Sequence, residues 1–309
     1  MSGEHLLRLK GHDKDLGGGF TVRRLLPSLQ RRAVGPFLFF DHFGPVTVHP
    51  QDEYDVRPHP HIGLATVTYL FEGAMMHRDS LGSLQQIEPG AINWMTSGRG
   101  IVHSERRPET LAGRDYVNHG VQLWAALPRE HEEVAPAFVH TPAEVIPEVR
   151  VGDAVVRVLI GTAFGQTSPV ATFAPTLYLD VQLPAGAALD LPALAPEMAI
   201  YCVNADLLLD GEAAPLPALT LGVLPQGQAT TVRCPADAVT SPPTHPGAGA
   251  RIVVIGGAPL DGPRHMWWNF VSSRKERIVQ AAQDWEDQAM GKVPGEVEWI
   301  PLPERRFKP

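Results

Sequence analysis

Two polar pairs, each with one residue between its members, carry the chemistry this sequence can do. His59 and His61 lie in Arg57-Pro58-His59-Pro60-His61, and His103 and Glu105 lie in Gly98-Arg99-Gly100-Ile101-Val102-His103-Ser104-Glu105. Side chains two apart on an extended chain point to the same face. If both segments are strands, three imidazoles and a carboxylate converge, and that is the donor set a borderline divalent metal takes. A metal that prefers five or six ligands would keep one or two positions for water, dioxygen or a substrate oxygen. Imidazole and carboxylate suit Fe(II), Mn(II), Ni(II), Cu(II) and Zn(II), so donor type alone does not name the ion. His77 is read as a supporting hydrogen-bonding group, because four positions are already filled.

The surrounding chain supplies strands. Ala65-Thr66-Val67-Thr68-Tyr69-Leu70-Phe71 is rich in β-branched and aromatic residues and closes at Glu72-Gly73. Further strands are expected around Phe20–Leu26, within Met75–Gly82 as a strand and its turn, at Ala91–Met95 and at Gly120–Leu127. The very apolar run Phe37-Leu38-Phe39-Phe40 belongs in a core or a pocket wall, and Asp41-His42 reads as the turn that ends it. Phe37, Phe39, Trp94 and Trp124 are candidate walls for a flat aromatic substrate, with core packing as the equal alternative.

A charged, proline-rich stretch from 129 to 150 reads as a linker. Strands resume beyond it, at Val155–Ile160, Leu177–Leu183, Ala199–Val203, Leu207–Leu209, Leu219–Leu224, Thr230–Val232 and Arg251–Ile255. The shared rhythm of strand and Pro/Gly turn in both halves predicts a duplicated all-β barrel: residues 1–140 with the metal, and 141–309 without it. The second half has no HxH pair, and its His245 and His265 fall in loop-like sequence. The clear helix follows Ser273-Arg274-Lys275-Glu276, which fits a capping box. Ile278, Ala281, Ala282, Trp285 and Ala289 then share one face, and Gly291 and Pro294 supply the stop.

Composition excludes several classes. With 309 residues, 44% hydrophobic and 19% charged, the chain is an ordinary globular one of two-domain size. A net charge of −8 argues against a protein that holds nucleic-acid phosphates. The basic cluster Arg23, Arg24, Arg31 and Arg32 reads as a solvated loop face, with a protein partner as the alternative. There is no apolar run long enough for a membrane span, and the start Met1-Ser2-Gly3-Glu4-His5 lacks secretory features, so a cytoplasmic location is expected. Cys202 and Cys234 have neither ligand spacing nor a disulfide framework around them and read as buried or free thiols.

Taken together, His59-Pro60-His61, Thr66–Gly73, His77-Arg78-Asp79-Ser80, Pro89-Gly90 and Trp94–Glu105 resemble the signature of the pirins. The likeness extends to Phe40-Asp41-His42-Phe43-Gly44-Pro45, His119–Trp124, Gly256–Leu260 and the tail from Asn269. It implies a bicupin: two tandem, jelly-roll-like cupin β-barrels with a C-terminal helix, and iron in the first barrel. By matching position the ligands would be His59, His61, His103 and Glu105. Many cupins carry a further glutamate shortly after the HxH, where this chain has Leu64-Ala65-Thr66, which leaves Glu105 as the carboxylate. Several pirins are quercetin 2,3-dioxygenases, so the resemblance implies a flavonol-like substrate, dioxygen, Fe(II), and Glu105 as the base for the hydroxyl proton. Others act as transcriptional co-regulators or modulators of metabolic enzymes, which implies the alternative of an iron-dependent, redox-sensing binding protein. An isomerase or hydrolase with a Lewis-acid metal is a third reading.

Overall fold

The computed structural model describes residues 5–16, 19–238 and 249–307; His245 lies outside them. Among the described residues the regular structure is mostly antiparallel strand, as the turn-punctuated sequence predicts, with one α-helix at Lys275–Glu286. It forms two compact units, each built on its own strands.

The unit that carries the two polar pairs comprises Asp13–Arg23, Phe40–Ala143 and Leu260–Pro309. One of its sheets has four strands, in the order Val56–His61, Ile101–Arg106, Met75–Asp79 and Leu84–Ile87. The other runs Ala137–Thr141, Ile92–Thr96, Leu64–Glu72, Tyr116–Ala126 and Phe37–Val48, then continues into Thr21–Leu26 and His12–Asp15. Alternation decides what faces inward. Thr66, Thr68 and Leu70 share one face of their strand, and their cross-strand partners Trp124, Gln122 and Gly120 lie on the same face. Leu70 belongs to an apolar cluster with Phe20, Val22, Phe43, Met75 and Ile87. The Thr66 and Thr68 stretch of that face is polar, and it is here that the site forms.

The second unit comprises the N-terminal segment to His12, Arg24–Phe39 and Glu144–Pro259. Its central sheet has seven strands, from Leu7–Leu9 through Gly249–Gly257 and Thr176–Pro184 to Glu148–Val151. A smaller sheet of Ala188–Leu191, Thr230–Arg233 and Leu208–Leu209 completes it. The interior between them is aliphatic, with Val158, Leu179, Val181, Leu189, Ile200, Val232, Ile252 and Val254 packed together. Cys202 and Cys234 are buried there as free thiols. The units do not follow a single cut at 140/141, since the chain enters and leaves each of them more than once.

Several local expectations are corrected. The strand begun by Phe37 does not turn at Asp41-His42 but runs on to Val48, with both polar residues buried inside it. His42 Nε2 lies 2.8 Å from His119 Nε2, so a buried hydrogen bond, rather than a turn, accounts for the histidine. The stretch from 129 to 150 is not simply a linker: Ala137–Thr141 pairs antiparallel with Ile92–Thr96, and Glu148–Val151 pairs with Ala154–Ile160. Besides the strand expected around Phe20–Leu26, the N-terminal segment forms strands at Leu7–Leu9 and His12–Asp15.

The helix begins one residue later than a serine cap would place it, with Arg274 as N-cap and no side-chain cap bond. Ser273 is occupied elsewhere: its hydroxyl and amide both donate to the Glu132 carboxylate, at 2.9 Å for each to its nearer oxygen. Ile278, Ala281 and Trp285 are buried, as the periodicity predicts. Ala289 lies past the helix end, after Gln288 takes a left-handed φ of 55°. No helix among the described residues is long and apolar enough to cross a membrane.

Candidate metal centre

His59 and His103 are direct cross-strand partners in the antiparallel ladder between Val56–His61 and Ile101–Arg106. Strand alternation turns His61 to the same side as His59. The three rings meet with centroids 4.4 Å apart for His59 and His103, 5.0 Å for His59 and His61, and 5.0 Å for His61 and His103. One ligand nitrogen from each lies within 4.8 Å of the other two, and all three residues are buried.

The outer nitrogens of two rings are fixed from behind. His59 Nδ1 lies 2.8 Å from the Arg57 carbonyl oxygen, and His61 Nδ1 lies 3.2 Å from that of Asn269. A carbonyl can only accept, so each Nδ1 carries the proton and each Nε2 keeps its lone pair. Among the described residues His103 has no hydrogen-bond partner at either ring nitrogen, although both are buried. An orphaned buried imidazole is costly unless something coordinates it. Burial, and then the neighbouring imidazoles, hold His103 and His61 well below the usual histidine range, while burial brings His59 down to about 4. Neutral imidazole is the form that binds a metal. The residues therefore fit the divalent ion that their types and spacing suggest.

Glu105 stands outside this three-histidine group. It continues the His103 strand, opposite His77 on one side and Val56 on the other, and the ladder to the His59 strand shifts register between His103 and Glu105. The extra residue of that irregularity lies on the His59 strand, between Val56 and His59, while the ladder from His103 and Glu105 to Asp79 and His77 stays regular. Burial pushes the Glu105 carboxyl up to about 7, against the pull of the Thr68 hydroxyl. Thr68 Oγ1 in turn lies 2.8 Å from Gln122 Oε1. A carboxyl near neutrality beside hydroxyl and amide groups can take up or release a proton at working pH.

The candidate aromatic walls divide. Trp124 stands against His61, ring centroids 5.0 Å apart at 77°. Trp94 is the cross-strand partner of Val67, on the face opposite Thr68, and its indole donates to Thr96 Oγ1 at 3.1 Å. Phe37 and Phe39 belong to the other unit, Phe37 edge-on to Tyr178 at 6.3 Å and Phe39 beneath the Arg24 guanidinium at 4.3 Å. The core reading holds for these two. Phe138 is an aromatic neighbour of His77 that the sequence reading missed, since its strand falls in the supposed linker.

Phe138 stacks flat on His77, centroids 4.1 Å apart at 7°, and His77 stands 5.4 Å from His103. His77 Nε2 donates to Asp79 Oδ2 at 2.9 Å, and Asp79 Oδ1 accepts the Leu81 and Ser83 amides. Burial raises the Asp79 carboxyl, but its hydrogen bonds from His77 and Ser83 outweigh this and leave it lowered. The supporting role expected of His77 thus comes with a fixed carboxylate behind it. The signal was present in the sequence, because Asp79 is itself i+2 from His77.

Residues 19–125 match the family model described as Pirin, and residues 178–291 match the Pirin C-terminal cupin domain. A pirin-like protein of Caulobacter vibrioides is 43% identical over 297 residues, covering 94% of this chain and 96% of that protein. Mouse pirin is 32% identical over 289 residues, covering 92% of this chain and 93% of its own length. A crystal structure of quercetin 2,3-dioxygenase from Acinetobacter baumannii superposes with a TM-score of 0.87 at 32% identity, covering 98% of this chain and 96% of that one. The fold is thus the expected pair of cupin domains.

Proposed function

We propose that this chain, which belongs to the pirin family, is a metal-dependent dioxygenase that cleaves a flavonol of the quercetin type with dioxygen. The observation that carries the reading is the buried His59, His61 and His103 group, with a carboxyl near pH 7 on the same strand as His103. The likeness to a solved quercetin 2,3-dioxygenase over nearly the whole chain supports it. His59, His61 and His103 would hold the ion, with Glu105 as the fourth donor or as the base beside it. Fe(II) is the proposed ion; Mn(II), Ni(II), Cu(II) and Zn(II) suit the same donors. When bound, the ion supplies a Lewis-acid and redox centre for the enolic oxygen of the substrate and for dioxygen.

The chain's own residues would do the rest. Trp124 offers a flat apolar surface beside His61 for an aromatic ring. Glu105, whose carboxyl is pushed up to about 7 by burial in the metal-free protein, would accept the flavonol hydroxyl proton, with Thr68 as its hydrogen-bonding neighbour. Asp79 and Phe138 fix the His77 ring, so the wall next to His103 is rigid and keeps the substrate from reorienting. The protein would be cytoplasmic. Turnover of quercetin by the Fe(II)-loaded protein, with loss of the flavonol and release of carbon monoxide, is the expected result. Iron-loaded protein that leaves quercetin and related flavonols intact would refute the substrate class.

A further inference from the structure

Of the two histidines oriented by carbonyls, His59 uses one on its own strand, whereas His61 uses one 208 residues away. That carbonyl, of Asn269, sits at the tip of a hairpin between His265–Trp267 and Phe270–Ser272. The tip is held in an unusual shape: Trp268 has a left-handed φ of 53°, a conformation that costs energy in a bulky residue. Such a shape persists only where packing over-determines it. Trp268 packs edge-on against Phe270 at 5.3 Å, and Phe270 and Val271 are fully buried.

The hairpin is also tied to the chain just after His61. Ile62 bridges to Phe270 in parallel, and the Val271 amide donates to the Ile62 carbonyl at 3.2 Å. At Gly63, with φ +69°, a Cβ would stand 2.0 Å from the Val271 carbonyl oxygen, so only glycine allows the hairpin this close. Ile62, Phe270, Ile278, Ala281 and Trp285 then form one apolar cluster that joins the hairpin to the helix.

From this we infer that the Asn269 backbone carbonyl is a positioning group for His61. It holds the proton on Nδ1, aims Nε2 inward, and makes the metal affinity of the site depend on this one backbone acceptor. The inference rests on the metal-centre reading. His61 is 1% exposed, so without Asn269 its Nδ1 would face no solvent, and the ring could turn or take the other tautomer.

The test replaces the Phe270 amide by an ester, introducing the corresponding α-hydroxy acid, which makes the Asn269 carbonyl a weaker acceptor while keeping every side chain. Ile278→Ala is the control, since it loosens the same cluster without touching Asn269. Two quantities are read in the full chain: Co(II) affinity by chelator competition, and the His61 tautomer from nitrogen-15 shifts of the metal-free protein. The expected result is about a 10-fold loss of Co(II) affinity and a mixed His61 tautomer in the ester variant, with the control within about twofold of the parent. Unchanged affinity with a retained Nδ1–H tautomer overturns the inference, and so does an equal loss in Ile278→Ala. Should the ester variant not fold, the parent decides: a predominant Nε2–H tautomer at His61 contradicts the proposed role. A parent that binds no Co(II) at all refutes the metal centre itself, which is a distinguishable failure.

Discussion

His103 stands directly across the ladder from His59, ring centroids 4.4 Å apart, and neither of its buried nitrogens finds a hydrogen-bond partner among the described residues. Two neighbouring strands thus bring neutral imidazoles together where hydrogen bonding alone leaves one of them unsatisfied. His103→Ala is expected to lower divalent-metal affinity by at least about 100-fold, since even groups behind a ligand are worth about 10- to 100-fold. The fold should survive, because no hydrogen bond is lost. Calorimetric titration with Ni(II) or Co(II) checks this, and affinity within tenfold of the parent would remove His103 from the ligand set.

Glu105 makes a pH prediction of definite sign. Its carboxyl is raised to about 7 from an ordinary value of 4.5, so between those values the folded metal-free protein binds more protons than the unfolded one. Stability from this group therefore falls as pH rises from about 4.5 to 7. Glu105→Gln should stabilise the metal-free protein at pH 8 by roughly 1 to 3 kcal/mol and change little at pH 4.5. Denaturant melts at both pH values measure it. A variant equally or less stable than the parent at pH 8 would show that the carboxylate is well solvated or paired.

The buried histidines predict the opposite slope in acid. His59 is lowered to about 4, and His61 and His103 also lie well below 6.5, so the unfolded chain takes up protons that the folded one refuses. Metal-free protein should lose stability as pH falls from about 6.5 towards 4, and saturating metal should steepen that loss because protons compete for the same nitrogens. His59→Gln should flatten the slope. An unchanged acid limb in that variant would place the transition elsewhere.

Glu132 offers a test of the fold that supports the site. Its carboxylate, 3% exposed, forms an ion pair with the Arg264 guanidinium, Nε 2.8 Å away, and accepts hydrogen bonds from the Ser272 hydroxyl and the Ser273 amide and hydroxyl. Glu132→Ala leaves the Arg264 guanidinium, 2% exposed on its side chain, without this partner and should cost about 3–5 kcal/mol. Chemical denaturation reads the loss, and a change below about 1 kcal/mol would mean that water replaces the carboxylate freely.

The sequence and the structure agree where the physics is local. Alternation in extended chain is a property of the backbone, so His59 and His61 could be placed on one face from spacing alone, and the β-branched run Thr66–Phe71 could be read as a strand. The differences arise where a distant group intervenes. Ser273 matches a capping box but is taken by Glu132, 141 residues away, so the helix starts uncapped. Asp41 and His42 have the composition of a turn, yet His119 lies against His42 and the strand passes through. Phe138 was hidden because proline and charge around it suggested a linker, while a neighbouring strand edge makes its segment a strand. Glu105 keeps its i+2 spacing from His103 on a regular strand, yet stands outside the histidine group, because spacing sets the side of the strand and not the distance to rings on the next one. The Asn269 carbonyl behind His61 has no side-chain signature at all.

The most direct test of the account is oxygen uptake by anaerobically Fe(II)-loaded protein on addition of quercetin, with His103→Ala run alongside. Stoichiometric uptake with ring cleavage in the parent, and none in the variant, is the predicted result. Iron bound in the parent with no oxygen consumed, or equal consumption by His103→Ala, would contradict a dioxygenase centred on these three histidines.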